Sequence, residues 1–400
     1  MFFRDVQHQP RAITLLRRSL ASGRLPHAYL LEGPEGVGKE LAGRALAARL
    51  LCEADRIAVD ADACGACRSC KLLAADNHPD FHFIHRGLHK LHPDRSIRES
   101  KGLYLVVDVV RHFLIEPATR TPSLGRRRVF LIRDAERMNE EAQNALLKTL
   151  EEPPGAACLL LVTASGDRLL PTIRSRCQRV TFDLLPHAFV QERLTATGVE
   201  QAAARTLAGL SQGRLGAALR WHQARLLDAL DEVSDVLCEG LPASPEEFAK
   251  RLIESAESLA ERGAGATEGP EAAESQSAGA AAAAPGADVD ADDEPRGRRS
   301  RKSSSDSPAT DELRDALKLV LLLIATIYRD ALLAQTAGGS LLLLPREHRA
   351  VHELARDADA DALAEAIQAV SRVEWMLDRN VAPQLGCEHL AVALCGGVRV

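Results

Sequence analysis

Ala28-Tyr29-Leu30-Leu31, then Gly33-Pro34-Glu35-Gly36-Val37-Gly38-Lys39-Glu40, then an apolar helical run from Leu41 to Leu51, form the stretch that decides the fold. A short apolar strand runs into a glycine-rich turn satisfying G-x-x-x-x-G-K, and the turn opens a helix. Glycines let successive backbone N–H groups curl around a phosphate, and the helix N-terminus adds partial positive charge. Lys39 is the residue that would reach the β- and γ-phosphates. The position after it is filled in working sites by Ser or Thr, whose hydroxyl holds magnesium. Here it is Glu40, which brings negative charge and bulk to that point, so nucleotide binding is expected to be lost or weak.

Outward from this loop, the first 185 residues alternate strands and helices. A helix is expected over Arg11 to Ser22, and further strands over Phe81 to His85, Arg128 to Ile132 and Cys158 to Val162. Strands separated by helices predict a mostly parallel sheet covered on both faces. After Pro186 the strand signal stops, and Gln191 to Gly213 and Leu215 to Cys238 carry helical periodicity. Residues 263–310 change character to Ala, Gly, Ser and Pro, with an acidic run (Asp288 to Glu294) and a basic one (Arg296 to Lys302). Such a segment buries too little apolar surface to offset its ordering entropy and reads as a disordered linker insertion. Helices resume at Asp311.

The chain has 400 residues, of which 46% are hydrophobic and 26% charged, enough for two or three domains with sizeable cores. A formal net charge of −6 argues against coating DNA by bulk electrostatics, while leaving a local basic face open. Met1 to Gln9 lacks the apolar core of a secretory signal, and the Leu317 to Tyr328 run is too short to span a bilayer, so a cytoplasmic location is expected. Four of the nine cysteines, Cys52, Cys64, Cys67 and Cys70, form C-x₁₁-C-x₂-C-x₂-C. Thiolates at that spacing can hold one tetrahedral ion, with Gly65 permitting the turn, and four thiolates leave no open position for catalysis. A structural zinc is expected; buried core cysteines or a redox pair are the plainer alternatives. Asn77-His78-Pro79-Asp80 reads as the lead into the next strand, although His78 could replace a thiolate. Cys158, Cys177, Cys238, Cys387 and Cys395 read as core residues.

Asn144-Ala145-Leu146-Leu147-Lys148-Thr149-Leu150-Glu151-Glu152-Pro153-Pro154 resembles the signature of bacterial clamp-loader subunits, the AAA+ gamma/tau and delta-prime group. Ser175-Arg176-Cys177 resembles that group's S-R-C motif. The opening through Gly38-Lys39 and the tail Asn380-Val381-Ala382-Pro383-Gln384-Leu385 are also similar, and the likeness covers most of the chain outside the linker and an insertion around Gly87 to Gly102. It implies a RecA-like α/β AAA+ domain over 1–185 with an inserted zinc module at about 52–75. A small helical lid would follow over 186–225, then an all-α collar domain over 226–262 and 311–400, interrupted by the linker.

The resemblance also shows where this chain departs. The family's magnesium and water-orienting pair, Asp-Glu, falls on Arg133 and Asp134. An arginine cannot ligate a cation and repels it. Thr163 fits the sensor-1 position. The sensor-2 arginine position is Gly216, and Arg214, two residues away, does not simply substitute. Glu40, Arg133 and Gly216 depart together, which resembles the delta-prime branch rather than gamma/tau. The expectation is then a subunit with no activity of its own in the DNA-directed DNA polymerase III holoenzyme, a relatively rigid stator. Arg176 would act as an arginine finger in a neighbour's ATP site, a structural ion pair being its plainer alternative, with Arg174 and Arg179 structural. Implied partners are gamma/tau and delta subunits in a hetero-oligomer, with the sliding clamp and primed DNA reached through the complex and no membrane. The competing readings are a gamma/tau-like subunit that itself binds and hydrolyses ATP, and a scaffold without a finger. Leu317 to Leu333 is a candidate subunit-contact stripe, with the domain's own core as the alternative.

Overall fold

In the computed structural model of the chain, the described residues are 2–23, 25–54, 61–100, 102, 104–238, 244–277, 308–336, 341–345 and 348–397, excepting the side chains of 264–277, 308–311 and 395–397. The N-terminal region runs α1 (Pro10–Ala21), β1 (Ala28–Glu32), α2 (Lys39–Leu51), α3 (Arg68–Ala74), β2 (Phe81–Ile84) and α4 (Arg95–Arg98). A helical stretch follows, made of α5 (Val107–Val110), a π-turn and α6 (Glu116–Ala118). Next come β3 (Arg128–Ile132), α7 (Glu140–Glu151), β4 (Ala157–Thr163), α8 (Pro171–Arg176) and β5 (Gln178–Thr181).

The five strands form one parallel sheet in the order β2-β3-β4-β1-β5. Strands β1, β3 and β4 are buried almost throughout because helices cover both faces, and their near-continuous apolar runs follow from that. Alternation still sorts the side chains: Tyr29, Leu31, Leu131 and Leu160 face one core cluster, while Leu30, Phe130, Ile132 and Leu161 face the other. Because β4 lies between β1 and β3, the turn after β1 sits beside the end of β4 and within reach of the end of β3, at the carboxyl edge where parallel α/β sheets place their sites.

Beyond the sheet the chain is helical: α9 (His187–Ala196), α10 (Gln201–Ser211), α11 (Leu215–Gln223), α12 (Leu226–Cys238), α13 (Pro245–Ser277), α14 (Pro308–Thr336), α15 (Arg349–Asp357), α16 (Ala360–Asp378) and α17 (Pro383–Gly397). The two stretches that carry helical periodicity are each two helices. Gly198 at φ 93° separates α9 from α10, and Arg225 at φ 56° separates α11 from α12; neither conformation continues a right-handed helix. Helix α13 continues past Gly263, where the linker was expected to begin, and runs to Ser277. Residues 278–307 of that expected linker lie outside the described residues.

On α14, Leu317, Val320, Leu321, Ile324 and Ile327 are all fully buried. The Leu317 to Ile327 part of the stripe therefore packs into the chain's own core, and Leu332 and Leu333 beyond it are half-buried. No helix among the described residues is long and apolar enough to cross a membrane.

Candidate phosphate-loop site, arginine finger and cysteine cluster

The turn after β1 opens on a cleft of about 1910 Å³, lined among others by Glu35, Lys39, Arg133, Asp134, Gly216 and Arg220. Lys39 is buried, and its Nζ donates across the loop to the carbonyls of Gly33 and Pro34. Gly33 N–H donates to the carbonyl of Thr163 at 3.3 Å, which ties the loop to the end of β4. The Thr163 hydroxyl accepts from Ser165 N–H at 3.1 Å. Burial lowers the Lys39 ammonium below its usual range.

The two positions that would share the magnesium instead bind each other. Arg133 Nε donates to Glu40 Oε2 at 2.8 Å and Arg133 Nη2 to Glu40 Oε1 at 3.2 Å, across 93 residues of sequence. Arg44, one turn along α2, donates to Glu40 Oε1 at 3.0 Å and to Asp76 at 2.6 Å. Phe83 on β2 lies under both guanidiniums, at 4.6 Å from Arg44 and 4.7 Å from Arg133. Burial pushes the Glu40 carboxyl upward, but the Arg133 and Arg44 guanidiniums outweigh it and hold the group below the ordinary range. A divalent cation needs oxygen ligands here, and a carboxylate paired with two guanidiniums would have to give up those bonds, beside two positive charges, to supply them. These residues do not fit magnesium. Asp134 is held left-handed at φ 52°, and its carboxyl is pushed up by burial and by Glu136.

The third departure has a steric reason. Gly216 N–H donates to the Gly36 carbonyl at 3.0 Å, so the start of α11 rests directly on the phosphate loop. A Cβ at Gly216 would stand 2.8 Å from Gly36 Cα, and one at Gly36, already at φ 76°, 2.8 Å from Gly216 N. Arg220, one turn further along α11, pairs with Glu35 at 2.8 Å and fastens the same contact from outside. Arg214 turns away, onto the Trp221 ring at 5.7 Å.

Arg176 ends α8 and is 35% exposed, with Nη2 2.7 Å from Glu151 Oε1 and Nη1 donating to the Thr172 carbonyl at 3.0 Å. Its neighbours are tied within the subunit, Arg174 to Asp167 at 2.8 Å and Arg179 to Glu32 at 2.6 Å. Cys177 is buried, and burial pushes its thiol up to about 12, which makes it a packing residue. Cys158 and Cys387 are buried as expected and Cys238 half-buried, while the Cys395 side chain lies outside the description.

Cys52, Cys64, Cys67 and Cys70 bring their sulfurs within 4.8 Å of one another. The Cys52–Cys67 and Cys64–Cys70 sulfurs are each 3.9 Å apart, close to the ~3.8 Å that four thiolates on a tetrahedral zinc require. Backbone N–H groups of Cys64, Cys67 and Cys70 point at the sulfurs of Cys52, Cys64 and Cys67 at 3.3 to 3.5 Å. Donation from the Ala66 and Cys67 N–H groups brings the Cys64 thiol down to about 6. The four could hold a metal. His78 is not a fifth donor: its Nδ1 accepts from Asp80 N–H at 3.0 Å, and Nε2 faces Ser69 Oγ at 3.0 Å.

Sequence reading missed the partners that complete these sites: Arg44, Asp76, Glu35, Arg220 and Glu151. Of these, only the i,i+4 step from Glu40 to Arg44 on α2 left a local signal. Asp80 was also missed. It is fully buried at the start of β2 and accepts from the N–H groups of Ser123, Leu124 and Gly125, at 2.6 to 2.8 Å.

Residues 8–186 match the family model described as DNA polymerase III, delta subunit. A DNA polymerase III subunit delta' from Pseudomonas aeruginosa is 38% identical over 225 residues, 55% of this chain and 64% of that one. The subunit of the same name from Bacillus subtilis is 35% identical over 204 residues, 51% of this chain and 56% of that one. A DNA polymerase III subunit tau from Salmonella typhimurium is 32% identical over 233 residues, 58% of this chain and 31% of that one. The chain thus spans less than two thirds of the length of these relatives. The resemblance to delta-prime clamp-loader subunits read from the sequence stands on these matches.

Proposed function

We propose, from its relation to DNA polymerase III delta-prime subunits, that this chain is a clamp-loader subunit whose own nucleotide site is silent and whose arginine serves a neighbour. The observation that carries the reading is the Glu40–Arg133 pair. A guanidinium stands at the position where the family carries a magnesium-ligating carboxylate, and Glu40 neutralises it from within. Phosphoryl transfer depends mainly on electrostatic stabilisation by such a metal, so the isolated chain does not hydrolyse ATP. The chain takes the stator's place in a cytoplasmic hetero-oligomer with gamma/tau and delta subunits. Its C-terminal helices join theirs in a collar, and the complex opens the sliding clamp at primed DNA.

Arg176 is the group offered outward. At a neighbour's γ-phosphoryl group a guanidinium neutralises developing charge, an effect worth roughly 10³–10⁵ in rate where such fingers operate in GTPases. The cysteine cluster holds a structural zinc, which ties the end of α2 to α3 and, with four thiolates, has no catalytic position.

ATP binding and turnover by the purified chain, alone and within the loader, test the reading. The expected result is no magnesium-dependent turnover by the lone chain, and slower ATP hydrolysis by a fully assembled complex carrying Arg176→Ala. Robust turnover by the lone chain favours the gamma/tau-like alternative. Wild-type loader ATPase with Arg176→Ala favours a scaffold without a finger.

A further inference from the structure

Arg176 is not a loose surface arginine; the helix that carries it is fastened to α7 at both ends. At the start of α8, the buried Gln143 side chain accepts from Leu170 N–H at 2.8 Å and donates to the carbonyls of Met138 at 3.1 Å and Arg168 at 3.4 Å. At the end of α8, the guanidinium meets Glu151, the last residue of α7, at 2.7 Å. Arg176 Nη1 is held at the same time by the Thr172 carbonyl, one turn back on its own helix. These contacts engage two of the five N–H donors of a guanidinium and fix the plane of the group, with 35% of the side chain left exposed. An arginine side chain otherwise samples many rotamers, and its useful geometry at a phosphoryl group depends on arriving already oriented.

We infer that Glu151 is a positioning residue for the arginine finger: its carboxylate holds one edge of the Arg176 guanidinium so that the remaining N–H donors face the neighbouring subunit's γ-phosphoryl group. The inference rests on the assignment of Arg176 as a finger in trans. It adds a residue of this subunit that never touches the nucleotide yet sets the rate at which the neighbour cleaves it. Glu151 also lies at the C-terminal end of α7, where a lone carboxylate is unfavourable to the helix dipole. Its place there is compensated by the cation it holds.

The test is a four-member cycle in the complete loader, assembled with gamma/tau, delta, clamp and primed DNA: wild type, Glu151→Gln, Arg176→Ala and the double variant. ATPase kcat and KM are measured for each. Thermal unfolding of each free subunit and the stoichiometry of each complex establish that fold and assembly are kept. Glu151→Gln preserves size and removes the charge. It is expected to lower kcat by roughly fivefold, as loss of one partly exposed ion pair would, and by no more than Arg176→Ala does. KM for ATP should stay unchanged, and in the Arg176→Ala background the second substitution should have no further effect. Wild-type kcat for Glu151→Gln alongside a slow Arg176→Ala overturns the positioning role and leaves the finger standing. An equal slowing by Glu151→Gln in both backgrounds also overturns it, since Glu151 then acts through the fold. A faster Glu151→Gln loader overturns it in the other direction, making Glu151 a restraint. Wild-type rates for Arg176→Ala remove the finger itself.

Discussion

At the scale of single residues, the molecule turns on pairs that complete one another across long stretches of chain. Glu40 faces two guanidiniums, so removing it leaves Arg133 and Arg44 facing each other without their shared anion. We predict that Glu40→Ala and Arg133→Ala each destabilise by about 1–3 kcal/mol in denaturant unfolding. The double variant should cost less than the sum, by about 1 kcal/mol or more; additive losses would show that the pair is not coupled. Asp80 supplies a pH prediction. Burial raises its carboxyl, but three backbone N–H donors outweigh it, and the net shift is downward from 3.8. A depressed carboxyl contributes stability that is fully present above 3.8 and drains away as pH falls through its folded value. Asp80→Asn should therefore cost about 1–3 kcal/mol at neutral pH and flatten the loss of stability below pH 3.8, both read from unfolding curves across pH. The departures at Glu40, Arg133 and Gly216 were legible one by one, because each sits in a short motif. That two of them satisfy each other was not, because no local pattern links positions 93 residues apart.

At the scale of elements, the cysteine cluster is the part whose assembly the sequence carried most completely. Its spacing alone located four sulfurs that the fold brings within 4.8 Å. We predict about one zinc per chain in protein purified without added metal, by elemental analysis. Stripping it with a chelator should lower stability by about 4 kcal/mol, the linkage expected for an ion present at a thousand times its Kd. A metal-free protein with four freely titratable thiols at Cys52, Cys64, Cys67 and Cys70 would remove the claim. Strand β5 went unread for a physical reason. It is an edge strand with Val180 as its one buried side chain, so Gln178, Arg179 and Thr181 give no apolar run. The breaks at Gly198 and Arg225 were also hidden, since periodicity continues across a left-handed residue that reorients the next helix.

At the scale of the whole molecule, the start of α11 and the phosphate loop meet backbone to backbone, with one ion pair beside the contact. The Gly36–Gly216 contact and the Glu35–Arg220 pair hold α11 on the phosphate loop. We predict that Gly216→Arg forces the lid away from the loop, seen as faster proteolysis near residues 213–216 and a lower unfolding midpoint; unchanged proteolysis would show that the contact is not tight. The division into an α/β part and a helical part was legible from where strands stop. The fate of the Leu317 to Leu333 stripe was not, because periodicity marks a buried face without saying whether its cover belongs to the same chain. The closeness of the two glycines also constrains how this protein can evolve. An arginine at 216 meets a steric barrier until α11 has moved, and an acid at 133 strands Glu40 opposite a second carboxylate. Each change taken singly is therefore expected to cost stability, so substitutions at 216 and 133 are tolerated only together with changes in the residues that face them.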